Sequence, residues 1–160
     1  MRRRDREITD RQEMLAVIKR CDVCRLALND EGYPYILPLN FGLNVAGDIV
    51  EFYFHGANEG YKYELMKRDN RASFEMDCSH RLVTDETRGS CTMEYESIIG
   101  RGRLEMVPDE EKRRALDILM AQYHKEDFAY DTAVIPQTTV YKLVVESMTG
   151  KRRMTGKPKS

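Results

Sequence analysis

Residues 52–62 read FYFHGANEGYK. An aromatic strand pattern through Phe52, Tyr53 and Phe54 gives way to a turn with Gly56 and Gly60, and Lys62 stands where a helix would begin. A strand, a glycine turn and a lysine at a helix start make a physical recipe for holding a phosphate. The first N–H groups of the helix point outward, bare backbone lets the guest approach, and the ammonium adds a full positive charge. A phosphate monoester is the natural guest. The turn lacks G-x-x-x-x-G-K-[ST], which argues against a nucleoside triphosphate, and no G-x-G-x-x-G follows a strand, which argues against a dinucleotide fold. Alone, the same residues also read as a plain strand-to-helix turn with a solvated lysine.

The elements that must position this turn follow from periodicity and punctuation. Thr9-Asp10-Arg11-Gln12 reads as a capping box, and Met14, Leu15, Val17, Ile18 and Cys21 recur on one face, predicting a first helix over about residues 10 to 21. Cys24 to Leu28, a turn at Asn29 to Gly32, and Tyr35 to Phe41 predict two strands, with Pro34 and Pro38 placing the second at an edge or bulge. Asn44 to Asp48 reads as a turn before a third strand over Ile49 to Phe54. A short helix is predicted over Tyr61 to Arg68, a strand from Ala72 to Met76, and an aperiodic loop from Ser79 to Gly89. Thr92 to Val107 resumes strand, with Gly100 and Gly102 marking a bend. Pro108 opens a helix with Ala115, Leu116, Leu119, Met120 and Tyr123 on one face, and Thr139 to Met148 closes the chain as a strand. Six antiparallel strands with flanking helices predict an α+β fold built on a small barrel, one domain over residues 1–160.

Composition bounds the function classes. The chain has 160 residues, 41% of them hydrophobic, and a net charge of −1. No apolar run is long enough to span a bilayer, and MRRRDREITD has the charge of a signal peptide without its apolar segment, so no membrane association and a cytoplasmic location are expected. Cations crowd both ends, in Arg2, Arg3, Arg4 and Arg6 and in Lys151, Arg152, Arg153, Lys157 and Lys159; residues 1–6 and 151–160 are expected to be solvated basic tails and not a nucleic-acid surface. The four cysteines, Cys21, Cys24, Cys78 and Cys91, include one C-x-x-C. Cys78 and Cys91 are not spaced as a second zinc knuckle, and the pair sits where a helix ends, so burial as small apolar side chains is expected and no metal site.

The sequence resembles the flavin-binding split-barrel proteins of the pyridoxamine 5'-phosphate oxidase-like superfamily, and within it the nitroimidazole-resistance branch. The resemblance is carried by Met1-Arg2-Arg3 with Asp5-Arg6-Glu7-Ile8, by Gly32-Tyr33-Pro34-Tyr35 with Pro38-Leu39-Asn40-Phe41, and by Phe52 to Ala57 with Gly60 and Lys62. It continues in Tyr95-Glu96-Ser97-Ile98-Ile99 with Gly100 and Gly102, in Asp109 and Glu111-Lys112, and in Met148-Thr149-Gly150-Lys151. It implies an antiparallel six-stranded split β-barrel, a homodimer, and an FMN in each of two clefts at the subunit interface. Leu39, Asn40 and Phe41 would give one side of an apolar slot for the ring, and Phe54, His55, Gly56 and Ala57 the other. Lys62, with Asn58 and the backbone around Gly60, would hold the phosphate. Family members commonly carry Ser-Arg-Lys where this chain has Gly60-Tyr61-Lys62, and the oxidases place a glutamine where counting back five residues from Gly102 gives Ser97. His55 is the histidine the motif turns toward the cleft and is the candidate catalytic residue; His80 and His124 read as surface or interface groups. Tyr95 and Arg101, flanking Ser97, read equally as cofactor contacts and as cross-strand packing.

These expectations point to an FMN-dependent oxidoreductase that passes hydride to or from a small planar substrate such as a nitroaromatic, with NAD(P)H as external donor. The rivals are a flavin- or haem-binding protein without turnover, with His55 or His80 as an iron ligand, and a nucleic-acid binder that uses its basic ends.

Overall fold

In the computed structural model, residues 3–124 and 130–155 are described. The chain forms β1 (Glu7–Ile8), α1 (Arg11–Arg20), β2 (Cys24–Asp30), β3 (Tyr33–Leu39), β4 (Gly42–Ala46), β5 (Ile49–Ala57), α2 (Tyr61–Arg68), β6 (Arg71–Asp85), β7 (Ser90–Met106), α3 (Lys112–Tyr123) and β8 (Thr138–Arg153). All pairing is antiparallel, in the order β3-β2-β6-β7-β8-β5-β4, with β1 added to β8. β3 and β4 lie at opposite ends of that order, yet only Asn40 and Phe41 join them. A link that short forces the sheet to curl until its two edges come together, leaving a barrel split between β3 and β4.

Local chemistry fixes the register. The β2–β3 hairpin closes through Glu31 and Gly32, both at positive φ (35° and 98°), as a two-residue turn matched to strand twist requires. β3 pairs with β2 alone, so Pro34 and Pro38 sit on an edge strand, where a missing N–H costs no ladder bond. Inside the barrel an aromatic ladder runs Phe41–Phe52–Phe74, with centroids 5.7 and 5.0 Å apart, and continues as Phe54 stacked on Tyr141 at 5.4 Å. Gly100 admits the Phe74 ring, because a Cβ there would lie 2.5 Å from it. The pairing register shifts between Arg101 and Gly102, at the predicted bend. α3 covers the outer side of β5 and β8 through Tyr53, Val107, Ala115, Leu116 and Val140.

Several expectations are corrected. The described residues form eight strands rather than six, because Gly42–Ala46, read from Asn44 onward as a turn, pairs fully with β5, and Glu7–Ile8 adds to β8. Of the expected loop from Ser79 to Gly89, only residues 86–89 are a turn. β6 continues to Asp85 against β7, and its charges hide the strand pattern because this projecting hairpin is solvated on both faces. The helix cap is Asp10, accepting from the Glu13 N–H at 2.8 Å, rather than Thr9. Residues 151–153 are not a tail but the end of β8, with Arg152 bound to Glu96 and Glu13. Arg2, Lys157 and Lys159 lie outside the described residues. Cys21 and Cys24 are buried, as small apolar side chains would be. Among the described residues, no helix is long and apolar enough to cross a membrane.

Candidate functional site

Alternation along β5 sends Phe52, Phe54 and Gly56 into the barrel and Tyr53 and His55 outward. Gly56 ends the inner row, and α2, starting at Tyr61, folds back over it. A Cβ on Gly56 would lie 2.5 Å from Lys62 Nζ and 2.9 Å from Tyr63 Oη, so the bare glycine is what lets the ammonium rest in the barrel mouth. There Nζ lies 4.9 Å from the Tyr63 ring centroid and 5.5 Å from that of Tyr141. Among the described residues no carboxylate forms an ion pair with it. Burial holds the Lys62 ammonium below its ordinary pKa, the mark of a cation desolvated without a counter-charge.

Two buried hydroxyls, Tyr63 Oη and Tyr141 Oη, have no hydrogen-bond partner among the described residues. Thr139 lies close enough to Tyr63 to moderate the upward push that burial gives its phenol, but not in bonding geometry. Burial also drives the Tyr141 phenol well above its usual range. An unpaired cation and the orphaned Tyr63 hydroxyl meet over bare backbone, which is costly for folding alone and fits an anion acceptor, while the Tyr141 hydroxyl stays in the core behind them. Gly60, at φ 146°, leaves the N-terminus of α2 without a side-chain cap. A cavity of about 360 Å³ opens beside Tyr63, lined by Asn58, Met66, Lys67, Leu104, Met106 and Thr139, with Thr139 Oγ1 donating to Asn58 Oδ1 at 2.8 Å. Tyr63, Tyr141 and Thr139 were not among the residues expected from sequence. A tyrosine on the inward row of the last strand is the signal that could have found Tyr141.

The other expected site residues scatter. His55 is exposed on the outer face of β5, opposite Val140; partial desolvation and then the Lys62 charge hold its imidazole below the ordinary pKa and favour the neutral ring. Phe54 and Phe41 are fully buried core rings rather than walls of an open slot. The Phe41 N–H donates to Tyr123 Oη at 2.9 Å, which in turn donates to the Asp22 carbonyl. Leu39 ends β3 half-buried, Asn40 is exposed, and Ala57 and Asn58 lie exposed at the end of β5. Tyr61 points away from the ammonium, its hydroxyl donating to Asp30 at 2.7 Å. Ser97 pairs with Lys151 on β8, whereas Gly56 pairs with Thr139 on the same strand. Twelve residues of strand separate those partners, about 40 Å of chain at the usual rise. Ser97 and Lys62 therefore sit toward opposite ends of β8 within one protomer.

The chain matches the family described as pyridoxamine 5'-phosphate oxidase over residues 10–152. Among solved structures, a candidate 5-nitroimidazole antibiotic resistance protein from Bacteroides thetaiotaomicron shares 36% identity, with 91% of this chain and 86% of that one covered and a TM-score of 0.77. A FAD- and haem-binding protein from Mycobacterium smegmatis (20% identity, 97% and 76% covered, TM-score 0.76) and a flavocytochrome from Azotobacter vinelandii (18%, 96% and 72%, 0.76) share the fold. No curated protein matches. The split barrel, the family match and the 36% identical relative agree: this chain belongs to the pyridoxamine 5'-phosphate oxidase family, on the side that is similar to a nitroimidazole-resistance protein.

Proposed function

We propose that this protein is a homodimeric FMN-dependent oxidoreductase that acts on a small planar substrate such as a nitroaromatic, with NAD(P)H as the electron donor. One observation carries the reading: the unpaired Lys62 ammonium over Gly56, beside the orphaned hydroxyl of Tyr63, fits a phosphate monoester. Lys62, Asn58 and the uncapped start of α2 would hold that phosphate, with Tyr63 as a further donor. The dimer is supported by the placement of Ser97 and Lys62 toward opposite ends of β8, which suits a ligand held between the Lys62 end of one subunit and the Ser97 end of a second. The family's flavin supplies two-electron transfer when bound. The chain's own part is to bind and orient it, to exclude water with the apolar rim of Met66, Leu104 and Met106, and to offer at His55 a neutral imidazole able to take a proton.

The related resistance protein and the flavin-binding structures support this choice of chemistry over a purely structural role. The second reading, a flavin or haem carrier without turnover, draws on the exposed, neutral-favoured His55. His80 serves it poorly, because its Nε2 is held by Asp77 at 2.9 Å. The test is an absorbance titration of the purified protein with FMN, followed by reduction with NADPH in the presence of a nitroimidazole. Flavin uptake with donor consumption supports the oxidoreductase, uptake without consumption supports the carrier, and a haem spectrum with no flavin uptake rejects both the cofactor and the reaction.

A further inference from the structure

The C-x-x-C spacing pairs Cys21 with Cys24, but the fold pairs Cys21 with another thiol. Cys24 lies in the barrel core on β2. Cys21 follows α1, and its sulfur donates to the Val17 carbonyl at 3.4 Å; Cys78, on β6, approaches the same carbonyl oxygen at 3.9 Å. One shared acceptor bounds the distance between the two sulfurs at about 7 Å. Burial and then the neighbouring Cys78 raise the Cys21 thiol, so the two groups are in direct electrostatic contact. We infer that Cys21 and Cys78 are a thiol–disulfide pair that staples α1 to β6 when a low-molecular-weight disulfide is present.

Three features suit the pair to that role. Cys78 is partly exposed, so an oxidant can reach it, while Cys21 is buried behind it as the resolving thiol. Arg20, ion-paired with Glu96 at 2.6 Å, lies beside Cys78, and Ser79, whose hydroxyl donates to Glu96 at 2.9 Å, has its oxygen 3.6 Å from the Cys78 sulfur, so the thiol borders a polar cluster. The β6–β7 register breaks directly after Cys78, with Ser79 at φ 59°, so the backbone is already irregular where closing a disulfide requires a small shift. In the first step the Cys78 thiolate attacks one sulfur of the oxidant, breaking its S–S bond and releasing one thiolate. Cys21 then gives its proton to solvent and attacks the Cys78 sulfur of the mixed disulfide, expelling the second thiolate. Two protein thiols are oxidised and one small disulfide is reduced to two thiols.

The test uses the wild-type chain, incubated with oxidised glutathione, alkylated and digested without reductant. Cys21 and Cys24 fall in one tryptic peptide, so fragmentation between Asp22 and Val23 is needed to assign the link. The expected result is a Cys21–Cys78 cross-linked peptide with Cys24 alkylated after denaturation, together with a thermal midpoint that rises on oxidation in wild type but not in Cys78→Ser. A Cys21–Cys24 link, a glutathione adduct persisting on Cys78, or both thiols recovered alkylated would overturn the inference. Because the readout is covalent connectivity, it does not depend on whether FMN binds.

Discussion

Replacing Lys62 by methionine keeps most of the apolar stem and removes only the charge. The ammonium is desolvated and unpaired, so its removal relieves a folding cost, while the two cation–π contacts at 4.9 and 5.5 Å are lost. Each such contact is worth about 0.5–1 kcal/mol, and an imperfectly solvated charge costs about the same or more. The FMN-free protein should therefore keep its stability to within about 1 kcal/mol. Binding behaves differently. A charge-assisted hydrogen bond to phosphate is worth about 1.5–3 kcal/mol, and half-exposure brings the expected loss to about 1–2 kcal/mol, or about 5- to 30-fold in Kd. The assay is fluorescence titration with FMN and, in parallel, with riboflavin, which has the same ring and no phosphate. Lys62→Met should weaken FMN and leave riboflavin unchanged. Equal weakening of both, or no change in FMN affinity, refutes the phosphate assignment.

Gly56→Ala places a methyl 2.5 Å from Lys62 Nζ and 2.9 Å from Tyr63 Oη, so the ammonium moves out and the buried Tyr63 ring must shift; FMN affinity should fall about 3- to 10-fold and the melting temperature should drop as well, as titration and calorimetry would show. The Lys62 charge depresses the His55 pKa, so the imidazole proton shifts followed by NMR should titrate at higher pH in Lys62→Met than in wild type. Glu94 accepts from the Thr155 hydroxyl and N–H and from Arg81, bonds that hold its carboxyl down to about 2. Its folded pKa lies below the unfolded one, so its stabilisation is complete above about pH 4.5 and is lost as pH falls toward 2. Denaturant midpoints of Glu94→Gln should therefore be lower than wild type at pH 7 and converge with it at acid pH.

The sequence made legible whatever is written in local period and punctuation. α2 was predicted over its observed span, the proline-bearing strand is at an edge, and the bend at Gly100–Gly102 is where the register slips. It obscured what depends on long-range pairing. β4 is a five-residue strand that exists because β5 lies opposite, and the charged end of β6 is strand only because β7 reaches back to it. The same division governs the site. Gly56 and Lys62 are six residues apart and can be read together, whereas Tyr141 joins them only through the pairing of β8 with β5. Ser97 shows the converse: a position assigned by counting from Gly102 falls toward the end of β8 opposite to that of Lys62 within one protomer.

The most direct test of the central claim is to measure bound FMN per chain together with oligomeric mass, by absorbance and light scattering on the same chromatographic peak. The account predicts a dimer carrying one FMN per chain, with a flavin spectrum that bleaches on chemical reduction. A monomer that takes up FMN stoichiometrically would contradict the shared site, and a protein that takes up none would contradict the cofactor.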